Sequence, residues 1–458
     1  MSSLGTPERP LRVAIVGSGP SGFYAAQELL GQKLNVKVDM FEKLPVPFGL
    51  VRYGVAPDHL KIKNVTKVFE KAAENPNFSF FGNVTVGKNI SVFELQKFYD
   101  AIIFSIGAEA DRKLGINGED LVGSYTATEF VAWYNGHPDF QDHHFDFSHE
   151  VAVIIGQGNV AMDVARILCK TPDELKKTDI SQHALEVLTQ SKIREVHVYG
   201  RRGPVQAAFT APEIKEMGEL ADCYPIINDP KDMELNEASV KELEDTANAG
   251  RKKNFEILQH FLTIAPNNRR RKFVLHFKRS PVEIIGQGRV QKAKFEINRL
   301  VGEANKQKVR GTGKFEEIDC GILFRSVGYR GIPIKGLPFS DQSGVIPNQG
   351  GRVMDSEEIF SGWYVAGWIK RGATGIIGTN KPCSDETVKN LLEDLDQLNP
   401  CEVPSTEEVL RFLKEREVRV VTFADWKKID AAEIERGAKS GKPREKFARI
   451  TGMLSAIS

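Results

Sequence analysis

The chain has no CxxC or CxxxxC pair, and its five cysteines (Cys169, Cys223, Cys320, Cys383, Cys401) are scattered and odd in number. That excludes a cysteine zinc site and a redox-active dithiol, and it fits reducing surroundings. Charge of one sign is also missing, since 62 Lys and Arg face 61 Asp and Glu for a formal charge of +1. Nothing global attracts nucleic acid or a membrane surface, so a charged partner must be recognised by a local patch. Long hydrophobic runs are absent too, and no window approaches the ~18 apolar residues of a transmembrane helix. The opening MSSLGTPERPLR is polar and lacks the apolar core of a signal peptide. The expectation is a cytoplasmic protein, or one of the mitochondrial matrix if a presequence has been removed. His137, His143, His144 and His183 have no cysteine or carboxylate at metal-ligand spacing, so no metal site is expected.

What the chain does hold is glycine in two informative places. VAIVGSGPSGFYAAQEL (13–29) reads as strand, glycine turn and helix, with Gly17, Gly19 and Gly22 in GxGxxG spacing. VIIGQGNVAMDVARIL (153–168) repeats the shape with Gly156, Gly158 and Ala161. In such turns the first glycine allows the tight bend and the second lets backbone approach a pyrophosphate. The third small residue lets helix and strand pack closely. The helix N-terminus adds unpaired N–H groups and a positive dipole end for the phosphates.

The residue that follows the next strand distinguishes the two turns. After the first, a strand over 36–41 runs into Glu42. A carboxylate there accepts from both ribose hydroxyls and repels a 2′-phosphate, so the first site should hold FAD or NAD(H) rather than NADP(H). After the second, a strand over 195–199 runs into GRRGP, which puts Arg201 and Arg202 where the first unit has Glu42. Guanidinium groups at that point suit a 2′-phosphate, and the second site should hold NADP(H).

The chain of 458 residues has room for two or three domains. The expected fold class is α/β, with two Rossmann-like dinucleotide-binding domains and the second inserted into the first. Residues 1–110 and 326–458 form the split domain, the latter part with a helical C-terminal region, and 111–325 form the insert. A helix is predicted over 61–74, and strands over 100–106, 320–327 and 363–367. Residues 273–277 and 290–298 read as antiparallel strands covering a sheet, 223–272 show little pattern, and the turn-rich 114–123 reads as a crossing between domains.

Four longer blocks carry a resemblance: PVPFGLVRYGVAPDH (45–59), GQGNVAMDVARIL (156–168), GRRGPVQAAFT (200–210) and GWIKRGATGIIGTN (367–380). Together they resemble the adrenodoxin reductase family and its bacterial members, ferredoxin–NADP reductases of the glutathione-reductase-type fold. The resemblance implies tightly bound FAD in the split domain and NADPH/NADP+ in the inserted one. It also implies a small acidic iron–sulfur protein of ferredoxin or adrenodoxin type as acceptor, which supplies oxygenases such as cytochromes P450. By motif position, FAD would be held by Gly17, Gly19, Pro20, Ser21, Glu42, Leu50, Val86, Gly107, Trp368, Gly375, Ile376 and Ile377. NADPH would be held by Gly156, Gln157, Gly158, Asn159, Val160, Arg201, Arg202 and Glu213, with Gly375 meeting the nicotinamide. His59 and Glu216 would tune the flavin or relay a proton. Leu60 and Ala373 stand where members usually have Pro, which alters loop rigidity rather than the named contacts. A monomer is expected.

Hydride transfer needs no acid, nucleophile or metal from the protein; it is a positioning problem. With no dithiol to receive them, electrons must leave one at a time to an outside acceptor, which fits a ferredoxin. Candidate docking charges for an acidic partner are Lys215, Lys370 and Arg371, with the run 269–272 more readily a solvated face. A flavin module of a larger assembly would need further cluster cysteines, and a non-catalytic NADP(H) sensor would retain no flavin.

Overall fold

The computed structural model describes residues 4–458, which form two compact units. One unit draws on the chain up to Val55, on His59–Ala110 and on Gly328–Ser458; the other on Ala56–Asp58 and Asp111–Val327.

The first unit is built on a seven-stranded sheet. Its parallel part runs Glu358–Val365, Ala101–Phe104, Leu11–Val16, Val36–Glu42 and Phe78–Gly82, with two short antiparallel strands at one edge. Leu11–Val16 is buried at every position, as a parallel strand covered on both faces requires. Arg12 is tolerated there because its Nη2 donates to Asp39 Oδ2 at 2.8 Å. The helix Pro20–Leu30 packs beside the long helix Asn380–Glu393. The predicted helix over 61–74 is broken in two, Leu60–Lys63 and Thr66–Ala73. Around Asn64 and Val65 the backbone bonds span three residues (Asn64 N–H to Lys61 O, Val65 N–H to Ile62 O, both 3.3 Å). That tighter winding ends one α-helix before the next begins.

The second unit holds a six-stranded, all-parallel sheet in the order Ser124–Thr126, Ile322–Arg325, Val151–Ile155, Glu195–Tyr199, Arg271–His276, Cys223–Ile227. A separate antiparallel sheet contains Arg279–Ile285, Lys292–Val301 and Lys308–Asp319. The expectation that 273–277 covers a sheet as an antiparallel strand is therefore corrected: Arg271–His276 is an interior parallel strand, almost wholly buried. The little-patterned 223–272 contains the edge strand Cys223–Ile227, where Pro225 is tolerable, and the helices Glu237–Glu244 and Ala249–Phe261. All five cysteines are buried free thiols. Among the described residues no helix is long and apolar enough to cross a membrane.

Candidate functional site

The first glycine turn closes tightly behind Leu11–Val16. Gly17 has φ +103°, and a Cβ there would lie 2.6 Å from Ser105 O; a Cβ on Gly22 would lie 2.2 Å from Gly17 O. Gly19, by contrast, meets nothing within 4 Å. Packing thus demands the outer two glycines, while the middle one leaves its face open to an approaching group. Pro20 opens the helix, where a missing N–H costs nothing. Ser21 is engaged on two sides: its hydroxyl donates to Asn380 Oδ1 at 3.2 Å, and its carbonyl accepts from Ser384 Oγ at 2.9 Å. Only its N–H is left for a phosphate.

Glu42 ends its strand buried beside this turn. Oε2 accepts from Ser18 N–H at 3.2 Å and from its hydroxyl at 2.5 Å; Oε1 accepts from Leu44 N–H at 3.1 Å. Burial pushes the carboxyl above its usual range, and those donors hold it back only in part. A buried acid with remaining acceptor capacity suits a diol, whose hydroxyls donate without adding charge. Val84 N–H binds Glu42 O at 2.9 Å, bringing the loop of Val86 to the same strand end. Gly107, at φ +74°, follows the neighbouring strand with open space around it.

The PFGLVRYGV block folds over the turn. Phe48 N–H donates to Ser18 O at 3.0 Å, and a Cβ on Gly49 would sit 3.2 Å from Gly19 Cα. Leu50 lies in the short helix Gly49–Tyr53 that follows. Beneath it Arg52, which sequence reasoning missed, pairs with Glu433 at 2.5 Å with both side chains buried. Burial alone would lower the Arg52 pKa, but the Glu433 charge outweighs it and raises it.

The GWIKRGATGIIGTN block forms a compact hook. Trp368 Nε1 and Arg371 Nη1 both donate to Thr374 O, at 3.1 and 2.6 Å. Gly375 has φ +79°, where a Cβ would lie 2.3 Å from Thr379 Oγ1. Ile376 is 63% exposed, and Ile377 begins the tight turn that leads into Asn380–Glu393. Lys370 corrects an expectation. Its ammonium lies 2.7 Å from Glu386 and donates to Thr387 Oγ1 at 3.0 Å, and its side chain is 8% exposed. It is an internal ion pair rather than a free docking charge. Arg371 donates to neutral oxygens, Thr374 O and Asn380 Oδ1, which leave its charge uncompensated.

The second glycine turn repeats the logic. Gly156 has φ +124° with a virtual Cβ 2.0 Å from Ser326 O, Gly158 is open, and Ala161 is wholly buried. Gln157 Nε2 donates to His276 O at 2.9 Å, and Gln157 O accepts from Ala208 N–H at 2.9 Å. Asn159 Oδ1 accepts from Thr210 N–H at 2.7 Å, and Val160 follows in the helix Asn159–Cys169. Arg201 and Arg202 are exposed on a pinned loop, with Arg201 O taking Asn298 Nδ2 at 3.0 Å and Arg202 O taking Lys278 N–H at 2.8 Å. Partial desolvation, then repulsion from Arg201 and Arg251, lowers the Arg202 pKa. An anion would relieve that repulsion.

Glu213 is less free than its assigned role suggests. Arg166, 1% exposed, reaches Glu213 at 3.2 Å, Asp163 at 2.6 Å, Asp58 at 2.8 Å and Glu216 at 3.5 Å. Glu213 is thus one member of a carboxylate cluster around a single buried guanidinium. The sequence signal for this hub was a charge inside the apolar stripe of DVARIL. Lys215 is exposed beside Glu219, and His59 precedes Leu60–Lys63. In the run 269–272, Arg270 pairs with Asp222, Arg271 with the Cys169 and Lys170 carbonyls, and Lys272 with Glu195.

A family model of pyridine nucleotide-disulphide oxidoreductases matches residues 11–199. NADPH-ferredoxin reductase FprA of Mycobacterium tuberculosis is 46% identical over 460 residues, covering 97% of this chain and 99% of its own. The mitochondrial NADPH:adrenodoxin oxidoreductase of Salvelinus fontinalis is 42% identical over 468 residues, covering 99% and 92%. The solved structure of Mycobacterium tuberculosis FprA in complex with NADPH matches at TM-score 0.91 and 45% identity, covering 98% of this chain and 100% of that one. With full-length identity of this order to both, the chain belongs to the family of NADPH-dependent ferredoxin and adrenodoxin reductases.

Proposed function

We infer that this protein is an FAD-dependent NADPH–ferredoxin reductase, taking hydride from NADPH and passing single electrons to an iron–sulfur ferredoxin that supplies oxygenases such as cytochromes P450. The observation that carries the reading is the opposite chemistry beside two like glycine turns: a buried carboxylate at Glu42 and exposed guanidinium groups at Arg201 and Arg202. FAD, when bound, supplies one group that accepts two electrons together and gives them up singly.

The chain's own part is to hold and orient. Glu42 accepts the ribose hydroxyls of FAD; Gly17, Gly19, Pro20 and the Ser21 N–H offer the pyrophosphate a turn without side chains. Leu50, Val86, Gly107 and Trp368 line the same cofactor, and the N–H groups of Gly375, Ile376 and Ile377 favour negative charge on its ring. Gly156, Gln157, Gly158, Asn159 and Val160 take the NADPH pyrophosphate, and Arg201 and Arg202 take its 2′-phosphate. Glu213 contributes from its place beside Arg166. His59 and Glu216 tune the reaction or move a proton. Arg371 and Lys215 steer an acidic ferredoxin to a monomeric enzyme.

The test is anaerobic mixing of the purified yellow protein with NADPH, followed by addition of a ferredoxin and cytochrome c. Bleaching of the flavin band followed by ferredoxin-dependent cytochrome c reduction is expected. A colourless protein, or bleaching with no electron delivery to any ferredoxin, contradicts the reading.

A further inference from the structure

We propose that Arg251 is a third cation of the 2′-phosphate site, held by the buried carboxylate of Glu242, and that it contributes to the preference for NADPH over NADH. The inference rests on the reading of the GRRGP loop given above.

Glu242 sits on the helix Glu237–Glu244 with its side chain fully buried. Its Oε1 accepts from Asn305 N–H at 2.9 Å and Gln307 Nε2 at 2.8 Å. Its Oε2 accepts from Gln206 Nε2 at 3.0 Å and Arg251 Nη1 at 2.9 Å. Gln206 ends the short turn Pro204–Gln206 that continues directly from Arg201, Arg202 and Gly203. Arg251 lies on the helix Ala249–Phe261. One carboxylate oxygen therefore ties the arginine loop to the side chain of Arg251.

A buried carboxylate usually resists ionisation, and burial is the largest influence on Glu242. The donors from Gln307, Gln206 and Asn305, with the Arg251 charge, overcome it and hold the group below its usual range. Glu242 is thus a fixed negative anchor at neutral pH. The anchor uses only one edge of Arg251: Nη1 donates to Glu242 and to Asn305 Oδ1 at 3.2 Å. A guanidinium carries five N–H groups, and this side chain is 37% exposed, so donors remain for a ligand.

The electrostatics point the same way. Arg251 is one of the two positive groups that repel Arg202, and Glu242 only partly offsets them. The Arg201 and Arg202 carbonyls are pinned by Asn298 and Lys278, so a phosphate is met by side-chain motion rather than by loop folding. Three arginines around one short loop, with one carboxylate behind them, leave net positive charge for a dianion.

The test uses the holoenzyme and its Arg251→Ala, Arg251→Lys and Glu242→Gln variants. KM and kcat are measured with NADPH and with NADH, and 2′,5′-ADP affinity by calorimetry. Arg251→Ala is expected to raise the NADPH KM and weaken 2′,5′-ADP about tenfold each, or ~1.4 kcal/mol, with kcat and the NADH KM unchanged. Arg251→Lys should recover most of the loss, and Glu242→Gln should shift NADPH in the same direction. An unchanged NADPH KM and 2′,5′-ADP affinity in Arg251→Ala, or an equal change for NADPH and NADH, overturns the inference. An Arg201→Ala/Arg202→Ala enzyme run beside it separates the two readings. If that enzyme loses the preference and Arg251→Ala keeps it, Arg251 alone is misassigned; if neither loses it, the loop reading fails as well.

Discussion

Arg52 and Glu433, 381 positions apart in the chain, meet at 2.5 Å with both side chains buried. Glu433 also accepts from Phe447 N–H at 2.9 Å and from Arg444 at 3.3 Å. Trp426 and Tyr53 lie under the Arg52 guanidinium, each ring 5.1 Å away. The helix Phe423–Lys439 thereby braces the loop that folds over the first glycine turn.

Breaking that pair on one side leaves an uncompensated buried charge, at ~3–5 kcal/mol. Glu433→Leu should lower the urea midpoint by a corresponding amount and loosen FAD retention. Arg52→Met in the same chain should recover part of the stability. A midpoint unchanged in Glu433→Leu would show the pair to be inert.

Such long-range pairs were not legible in the sequence, whereas the turns that frame the site were. Glu195–Tyr199 falls on the residues predicted for it, because its valine-bearing run is closed by Gly200. Arg271–His276 misled because RKFVLH carries no mark of which sheet will take it. The break at Asn64 depends on a local change of winding that an amphipathic pattern hides. Lys370 looked free because Glu386, its partner, lies 16 positions on, in the next helix. Arg166 and Asp58 are 108 positions apart, and only the folded unit brings them together.

Glu42 makes opposite demands on folding and binding. Its folded pKa is raised by burial, so its contribution favours the fold below the ordinary carboxyl pKa and is lost as pH rises through the folded value. Once ionised, Glu42 puts a buried charge in the flavin-free protein that Gln would remove. Glu42→Gln is therefore expected to raise the melting temperature of the flavin-free protein and to weaken FAD binding. Calorimetric melting and flavin titration on one preparation check both, and FAD binding undiminished in Glu42→Gln would contradict the assigned role.

His197 and His276 set a pH dependence of stability. His197 Nδ1 lies 2.9 Å from His276 Nε2, and Tyr199 stacks on the His276 ring at 4.0 Å. Burial lowers both pKa values, that of His276 to about 2, from an ordinary value of 6.5. His276 stays neutral in the fold while the unfolded chain takes up protons, and His197 is shifted in the same direction. Their stabilisation is complete above pH 6.5 and declines below it, by up to ~1.4 kcal/mol per pH unit for His276, with His197 adding in the same direction. Urea midpoints should fall from pH 7.5 to pH 5, and His276→Gln should flatten the slope; identical slopes would assign it to other groups.

The central claim is that the second turn takes NADPH through its 2′-phosphate, and kcat/KM for NADPH and NADH in Arg201→Ala/Arg202→Ala tests it most directly. With a ferredoxin as acceptor, the account predicts a loss of about a hundredfold or more for NADPH, on the order of two charge-assisted bonds, and almost none for NADH. An equal loss for both nucleotides, or none for NADPH, would contradict it.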